Sequence, residues 1–334
     1  SNSSFYNIIA NGGVGGTNEG SIKLSIGAGS NITNPSIGKH IGLNSTALYS
    51  IYRNSNIGDY YNENIYFGGG GLYGNTNIKQ QLNGTVYSFG YNLNGQLGRT
   101  TQQDYNEIPD KITSNIGNCN IIAISAGHNH SLFLDANGKV YSCGDNENGQ
   151  LGFENLVYNC NIPRQITNLS NIVSISAGAF HSVFLNSNGK VYSCGGNYYG
   201  QLGIYTTKIR DFVIPYENIP TQINNLSNIS AINAGFNHSL FLDFYGKVYS
   251  CGRNNYGQLG RISDDMSEKI PIQITSNISN CNIIAVSAGI NHSLILDSTG
   301  KVYGCGYDTY GQIGIGTQYT RYPYFTPITN LSNI

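Results

Sequence analysis

Tryptophan is absent from this chain, methionine occurs once, and charged residues make up only 10% of its 334 positions. The formal net charge is −1, and no basic stripe stands out along the sequence. This balance argues against a partner bound through its phosphate charge, such as naked DNA. No apolar run reaches the ~18 residues of a membrane-spanning helix, and amphipathic helical periodicity is missing. Helical, membrane-spanning and nucleic-acid-binding classes are therefore disfavoured.

Glycine and tyrosine are abundant instead, with 43 and 26 residues, and asparagine and serine are frequent. This composition suits many short strands joined by tight turns. One stretch sets the pattern: residues 177–203 read AGAFHSVFLNSNGKVYSCGGNYYGQLG, and related stretches begin at Ala126, Ala234 and Ala288. Four copies of one unit indicate a repeat protein.

The repeat has a measurable period. Its NxxGQLG segment ends at a glycine in five places, spaced by 54, 51, 57 and 54 residues: Gly98, Gly152, Gly203, Gly260 and Gly314. Weaker matches near Gly15 and Gly58 raise the number of repeat marks to seven. Within a strong copy, residues 122–125 and 130–135 alternate as strands do, residues 139–143 supply a partner strand, and Gly138 closes a hairpin turn. Each unit is therefore predicted to be a sheet of three or four strands that its neighbours must cover.

Radial closure is the usual solution for such units. The final residues 327–334 match the lead-in 163–172, and the chain begins near the end of a unit. We predict one all-β propeller over residues 1–334, degenerate over 1–83 and clear over 84–334, with the last blade shared by both terminal segments. Seven blades are expected, and six is the alternative if the weak marks at Gly15 and Gly58 belong to one unit.

The pattern AGxxHSLxLxxxGKVYxxGxNxxGQLG resembles the repeat of the regulator of chromosome condensation (RCC1) family. The resemblance covers four consecutive units well and a fifth, at residues 84–98, in part. It implies a propeller, usually of seven blades, closed by strands from both termini. Family members include exchange factors for the GTPase Ran, chromatin binders, ubiquitin-ligase and photoreceptor propellers, and secreted inhibitors of bacterial enzymes. Fold is thus implied more strongly than function.

Histidine and serine stand side by side in every strong copy, the histidines being His130, His181, His238 and His292. Adjacent residues of a strand face opposite sides of the sheet, so one repeat cannot form a His–Ser catalytic pair. A metal would need several of these histidines around one point, yet they belong to different blades. We predict that each histidine is structural and bonds neighbouring backbone. No catalytic, cofactor-binding or metal site is expected.

Cysteine occupies one repeat position in four copies, where the first strong copy has Phe89: Cys143, Cys194, Cys251 and Cys305. A position shared with phenylalanine is predicted to be buried and apolar. Equivalent positions in neighbouring blades are usually too far apart for a disulfide. Free structural thiols favour a reducing, intracellular compartment. A secreted or particle-associated protein is the alternative.

Functional residues are expected in the segments whose sequence differs between the repeat copies. The five segments 99–111, 153–164, 204–221, 261–272 and 315–326 occupy one register and carry 17 of the 35 charged residues. Aromatics beside arginine are favoured at binding hot spots. The predicted partner-contacting residues are Lys208, Arg210, Asp211, Phe212, Tyr216, Asp264, Asp265, Glu268, Tyr319, Arg321, Tyr322, Tyr324 and Phe325. A second candidate surface is the turn position held by Tyr198, Tyr199, Tyr256 and Tyr310.

Three functions are weighed on this basis. The first is a non-enzymatic scaffold that presents its variable loops to a protein partner. The second, motivated by the family resemblance alone, is nucleotide exchange on, or regulation of, a small GTPase. The strong repeats vary only from 51 to 57 residues, however, and leave no room for the large wedge that exchange factors of the family are expected to use. The third is a structural component of a particle or surface assembly, including a virion.

Overall fold

The computed structural model describes residues 10–11, 44–45, 65–71, 74–80, 84–101, 103–154, 158–206, 208–210, 214–263, 265–316, 320–329 and 331. Residues 10–11, 44–45, 65–71, 74–80, 210 and 214 are described for the backbone alone. Throughout this part of the chain, the secondary structure consists of β-strands and turns.

Five blades follow one another along the chain, after a short antiparallel pair formed by β1 (Ala10–Asn11) and β2 (Asn44–Ser45). Blade 1 contains β3 (Ile65–Gly71), β4 (Gly74–Gln80), β5 (Val86–Tyr91) and β6 (Tyr105–Lys111). Blade 2 contains β7 (Ile121–Ala126), β8 (His130–Asp135), β9 (Val140–Asp145) and β10 (Asn159–Gln165). Blade 3 contains β11 (Ile172–Ala177), β12 (His181–Asn186), β13 (Val191–Gly196), β14 (Ile209–Arg210) and β15 (Ile214–Gln222). Blade 4 contains β16 (Ile229–Ala234), β17 (His238–Asp243), β18 (Val248–Arg253) and β19 (Ser267–Gln273), and blade 5 contains β20 (Ile283–Ala288), β21 (His292–Asp297), β22 (Val302–Tyr307) and β23 (Arg321–Pro327).

Each blade is an antiparallel meander whose strands pair in chain order, and β14 adds a fifth strand outside β15 in blade 3. The first strands of successive blades contact one another, from β7 to β11, β16 and β20. Side chains on these strands accept hydrogen bonds from the backbone of the next first strand. The pairs are Ala177 N to Ser125 Oγ (2.9 Å), Ala234 N to Ser176 Oγ (2.9 Å) and Ala288 N to Asn233 Oδ1 (2.8 Å). The first strands therefore lie innermost, and the fourth strands form the outer edge.

The hydrophobic core lies between blades. Along β12, Phe184 packs toward blade 2, whereas Val183 and Leu185 pack toward blade 4. This alternation explains why all six residues of β12 are buried, since both faces of the sheet are covered. Burial of one such side chain contributes about 1.5–3 kcal/mol, so a blade depends on its neighbours for most of its stability.

The cysteines at the shared repeat position behave as predicted. Cys143, Cys194, Cys251 and Cys305 are fully buried, and all seven cysteines of the chain are free. Burial raises the pKa of each of these four thiols above its usual range, because the thiolate would lose its hydration. The thiols are apolar filling between blades rather than nucleophiles.

Most of the predicted blade is confirmed, with one difference. The first three strands and the hairpin glycine Gly138, at φ 74°, lie where the repeat predicts them. The variable segments, however, are loops only in their first halves, because their second halves form the fourth strands. The five blades begin at residue 65, so a total of seven or six blades and the shared last blade involve regions outside the described residues and stay predictions. Within the described part, no helix has the length and apolarity that crossing a membrane requires.

Candidate protein-binding face

The two ends of the blades differ in what they carry. In a four-strand meander, the turn between the first and second strands and the loop between the third and fourth lie at one end. We call this end the loop-bearing face; it includes residues 127–129 and 146–154 of blade 2 and their equivalents. The hairpins between the second and third strands, such as residues 136–139, lie at the opposite end, the hairpin face. The described parts of the variable loops therefore lie on one face, as the shared register predicted.

A repeated turn gives the loop-bearing face a rigid frame. In blade 2, Asn146 Oδ1 accepts from Leu151 N and Gln150 Oε1 accepts from Asn148 N, both at 2.9 Å. The same two bonds recur in blades 3 and 4. Side-chain amides that bind the backbone hold the turn and leave its two middle residues free to vary. Those residues are Leu93 and Asn94, Glu147 and Asn148, Tyr198 and Tyr199, Asn255 and Tyr256, and Thr309 and Tyr310.

The turns of blades 1 to 4 each lie over the next blade. Gly200, with φ +83°, packs so closely on the fourth strand of blade 4 that a Cβ would collide with the backbone of Lys269. The residue before this glycine lies at the blade junction, above the last residue of the next third strand. Tyr199 thus faces Arg253, and Tyr256 faces Tyr307.

Blades 3 to 5 carry a continuous row of aromatic and arginine side chains across these junctions. We call it the tyrosine–arginine ladder: Tyr198, Tyr199, Arg253, Tyr256, Tyr307 and Tyr310. Ring centroids lie 4.8 Å apart for Tyr198 and Tyr199, 4.8 Å for Tyr256 and Tyr307, and 6.2 Å for Tyr307 and Tyr310. The outermost rings, Tyr198 and Tyr310, are 56% and 81% exposed. A row of this length, open to solvent, has the composition of an interface hot spot.

Arg253 joins the two aromatic halves of the ladder. Its guanidinium carbon lies 5.2 Å from the Tyr199 ring centroid and 5.7 Å from that of Tyr256, within cation–π range of both. Its Nε atom is buried without a hydrogen-bond partner, and none of the described acidic side chains forms an ion pair with it. The tyrosines therefore orient a guanidinium whose hydrogen-bonding capacity is not used within the described chain.

Another aromatic cluster joins the turns between the first and second strands of blades 2 to 4 on the same face. The ring centroids of His128, Phe180 and Phe236, from three successive blades, lie 5.6, 5.7 and 6.0 Å apart. All three side chains are half-buried. Burial lowers the pKa of His128, because the charged imidazolium would be desolvated beside the two phenylalanines. The first-to-second-strand turns of blades 2 to 4 therefore pack on one another through these three rings.

The repeated histidines are structural, but their partner differs from the predicted one. His130, His181 and His238 place Nε2 at 3.0, 3.0 and 2.9 Å from the hydroxyls of Ser182, Ser239 and Ser293 in the next blade, rather than binding nearby backbone. Those serines donate their only hydroxyl hydrogen to the carbonyls of Gln150, Gln201 and Gln258. Each histidine must therefore donate from Nε2. Burial lowers the pKa of each of the three histidines to about 3, so they are neutral at physiological pH.

Two predicted contact residues, Lys208 and Glu268, lie at the outer edges of their blades and form ion pairs within the same blade. Lys208 Nζ lies 2.5 Å from Glu217 Oε1 and 2.7 Å from Asn218 Oδ1. Glu268 Oε1 lies 3.9 Å from Arg261 Nε. These ion pairs lie at the outer edges of blades 3 and 4. Charged groups that are already paired are less available to bind a partner.

Phe325 is not a surface residue, and its prediction as a partner contact is wrong. Its side chain is 0% exposed and belongs to the core between blades 4 and 5. Along β23 the side chains alternate, so one aromatic of this strand packs inward while Tyr322 and Tyr324 stay half-buried. The sequence showed an aromatic cluster but not which member faces the neighbouring blade.

The remaining predicted contact residues differ in exposure, and some lie outside the described residues. Asp265 and Arg321 are exposed, and Tyr216 is half-buried. Arg210 is described only as backbone in β14. Asp211, Phe212, Asp264 and Tyr319 lie outside the described residues. The secondary candidates Tyr198, Tyr199, Tyr256 and Tyr310 all belong to the ladder.

The sequence did not predict Arg253 and Tyr307 as contact residues. They follow the Cys-Gly pair at the end of the third strand, a position held in the other blades by Tyr91, Asp145 and Gly196. The residue type at this position varies among the blades, as it does in the loops. This variation could have marked the position as a candidate contact site from sequence.

A family model described as the RCC1-like domain matches residues 74–334, well over half of the chain. The chain belongs to the RCC1-like domain family. The family assignment agrees with the repeat pattern and with the five described blades, so the predicted all-β RCC1-like propeller is confirmed.

Curated relatives of this RCC1-like domain are longer than the chain. It is 32% identical over 234 residues to the ultraviolet-B receptor UVR8 of Arabidopsis thaliana, a match covering 69% of this chain and 51% of the receptor. It is 27% identical over 265 residues to the regulator of chromosome condensation of Xenopus laevis, covering 75% of this chain and 62% of the relative. The chain therefore spans between half and two thirds of each relative's length.

A solved structure has the same fold. Prp20p from Saccharomyces cerevisiae superposes with a TM-score of 0.63 at 24% identity, covering 76% of this chain and 61% of Prp20p. That structure was described together with the binding properties of Prp20p to Gsp1p and histones. At this level of identity the likeness shows the shared propeller.

Proposed function

We propose that this RCC1-like propeller is a non-enzymatic scaffold that binds a protein partner through its loop-bearing face. The tyrosine–arginine ladder carries the proposal. It is a row of six side chains on rigid turns and on the ends of third strands, and its outermost rings are open to solvent. Rigid aromatic anchors suit protein recognition, because little side-chain entropy is lost when they bind. The variable loops surround the ladder at the same end of the blades.

The repeated polar residues support a non-enzymatic role. The serine hydroxyls beside the histidines donate to carbonyls between blades and are fully buried. The histidines that bind them are neutral and equally buried. A nucleophile and base of this kind have no access to substrate, so their repetition serves the scaffold.

Partner capture from the native host tests the proposal. The full chain is immobilised beside a ladder variant carrying Tyr198→Ala, Tyr256→Ala and Tyr310→Ala, and the retained proteins are identified and quantified. A matched control carries Phe244→Ala and Tyr245→Ala, two residues of the hairpin face that are also strongly exposed. We expect a stoichiometric partner that the ladder variant loses and the control keeps, with affinity about tenfold or more weaker in the ladder variant. Retention by the ladder variant together with loss in the hairpin-face control would refute this assignment.

Regulation of a small GTPase is the second candidate, because of the match to the regulator of chromosome condensation. The uniform length of the strong repeats weighs against an exchange wedge. Release of a fluorescent guanine nucleotide from Ran-like and Rab-like GTPases, measured with micromolar full-length chain, decides the question. Acceleration that the ladder variant abolishes would support this function, and unchanged release rates would remove it.

We also propose a reducing, intracellular location, supported by seven free cysteines of which five are buried. A particle or surface component stays the third prediction. Size measurement in solution tests it, because a strict monomer that does not assemble with any partner counts against it.

A further inference from the structure

We propose that the tyrosine–arginine ladder recognises an acidic peptide segment of the partner, with a carboxylate bound by Arg253. This inference rests on the proposed protein-binding function and names the chemistry that the face would select. The central observation is the position of Arg253 between Tyr199 and Tyr256. Guanidinium groups bind carboxylates through two parallel hydrogen bonds, and stacking on aromatic rings fixes the guanidinium plane beforehand.

The hydrogen-bonding state of Arg253 points to an external anion. Its Nε is buried and unpartnered, and no ion pair joins its side chain to an acid among the described residues. Two other arginines, Arg99 and Arg261, follow the turns after third strands and donate to the backbone of their own blade, although the Nε of Arg261 is likewise buried without a hydrogen-bond partner. Arg99 donates to Ser88 O at 2.9 Å, and Arg261 donates to Ser250 O at 3.1 Å. Arg253 differs from them because its partners are aromatic faces alone.

The surrounding charge favours an acid over a base. Arg321 is exposed on the outer strand and pairs in register with Tyr307 of the ladder. Lys269 is exposed on the outer strand beneath the turn that carries Tyr199. The nearby Glu268 is paired with Arg261, which leaves Asp265 as the exposed acid that the structure describes in this sector. Among the described side chains of this sector, three cations, Arg253, Lys269 and Arg321, stand against the exposed Asp265 and the buried Asp308, which accepts from Ile313 N. The described surface of the ladder is therefore more positive than the chain as a whole, whose net charge is −1.

The equivalent position on blade 2 has the opposite character. Asp145 occupies the place that Arg253 holds in blade 4, and Glu147 stands in the adjoining turn. Asp145 is kept in place by hydrogen bonds from Gln150 Nε2 at 3.0 Å and from Glu147 N at 2.9 Å. An acidic segment is therefore attracted to blades 3 to 5 and repelled from blade 2, which would give it one location on the face.

The tyrosine rings supply the rest of the recognition. Successive rings from Tyr256 through Tyr307 to Tyr310 form an aromatic surface beside the guanidinium. Proline and aliphatic side chains pack well on such surfaces. The expected ligand is an extended segment in which an aspartate or glutamate is flanked by proline or aliphatic residues. Single-stranded nucleic acid also stacks on aromatic side chains beside arginine, so it is included as a competing ligand in the test.

A displayed library of random peptides tests the inference, because aromatic-lined grooves recognise short extended segments. The library is selected in parallel on the full chain and on Arg253→Gln. Binding of the consensus peptide, of its version with Glu and Asp replaced by Gln and Asn, and of a thymidine oligonucleotide is then measured by fluorescence anisotropy at two salt concentrations. Arg253→Lys and the hairpin-face variant Tyr245→Ala serve as matched controls, and thermal unfolding confirms that each variant is folded.

We expect an acidic consensus that binds about tenfold or more weakly to Arg253→Gln, because a buried charge-assisted pair is lost. Arg253→Lys should recover part of the affinity, and Tyr245→Ala should bind like the unmodified chain. Neutral peptides that depend on Tyr256 but not on Arg253 would overturn the acidic specificity while leaving the protein-binding function intact. Preferential oligonucleotide binding, or no enriched peptide at all, would also overturn it. If the ladder variant and Arg253→Gln both still bind the native partner, both proposals are refuted.

Discussion

The ring of His181 donates from Nε2 to the hydroxyl of Ser239 in the next blade, across 3.0 Å. The space for that ring is provided by Gly178, where a Cβ would collide with His181 and with the carbonyl oxygen of Gly235. Ser239 in turn donates a hydrogen bond to Gln201 O at 2.7 Å. One imidazole thus joins two blades through a chain of fully buried groups.

Removal of this histidine should destabilise the propeller. We expect His181→Ala to lower the free energy of unfolding by about 3 kcal/mol, through a cavity and a lost buried hydrogen bond. A double-mutant cycle with Ser239→Ala, measured by urea denaturation, should give a coupling energy of about 1 kcal/mol. His128→Ala is the matched control, because its ring is half-buried and contacts only aromatic neighbours across blades. Purely additive effects of the two substitutions would contradict the inter-blade bond.

Stability should fall as pH decreases below 6.5. Burial holds the pKa of His130, His181 and His238 at about 3, whereas an unfolded histidine has a pKa of about 6.5. The unfolded state therefore binds protons first, and the stability present above pH 6.5 is lost progressively towards pH 3. Between neutral pH and pH 5 the loss should be about 2 kcal/mol for each histidine. Urea midpoints across this range provide the measurement, and His181→Gln should reduce the pH dependence by one histidine. A midpoint independent of pH would refute the neutral buried state.

Substitution of Phe325 should affect folding and leave partner binding unchanged. Its burial between blades 4 and 5 predicts a loss of about 3–5 kcal/mol in Phe325→Ala. Tyr310→Ala, at a site 81% exposed, should cost less than about 0.5 kcal/mol and should weaken the partner instead. Thermal unfolding and partner affinity, measured on both variants, separate the two roles. The opposite pattern would restore Phe325 as a contact residue.

Thiol reactivity should distinguish two classes of cysteine. Cys119 and Cys281 are half-buried and react slowly, whereas the five buried cysteines do not react while the protein is folded. Absorbance titration with a thiol reagent should show at most two reactive groups in the native state and seven after denaturation. Fewer than seven thiols in the denatured, unreduced protein would indicate a disulfide.

The blade itself was predictable from sequence because its signals are local. Alternation along β12 and the turn glycine Gly189 each belong to one hairpin and fix its register. The sequence left open whether a unit has three or four strands and did not locate the fourth, because segments such as Tyr105–Lys111 lie at the exposed edge and lack a buried face that would impose alternation. Their strand character comes from pairing with β5.

The partner of each histidine and the position of Arg253 depend on contacts between blades, which a single repeat does not contain. The sequence places His181 and Ser182 side by side, yet His181 binds Ser239. Similarly, Tyr199 and Arg253 are separated by a full repeat and meet only because the turn of one blade lies over the next. The ladder was therefore recognised only in part, through its turn tyrosines.

From blade 2 to blade 5 the three described histidine-to-serine bonds run in the same direction, since the histidine of one blade donates to the serine of the following blade. If a unit were duplicated or deleted, the blades that become neighbours would still present a histidine and a serine to each other. Gain or loss of a whole repeat would thus preserve this histidine-to-serine bond at the new junction. Meanwhile the two middle residues of each turn can diversify one blade at a time, so recognition and ring architecture can evolve separately.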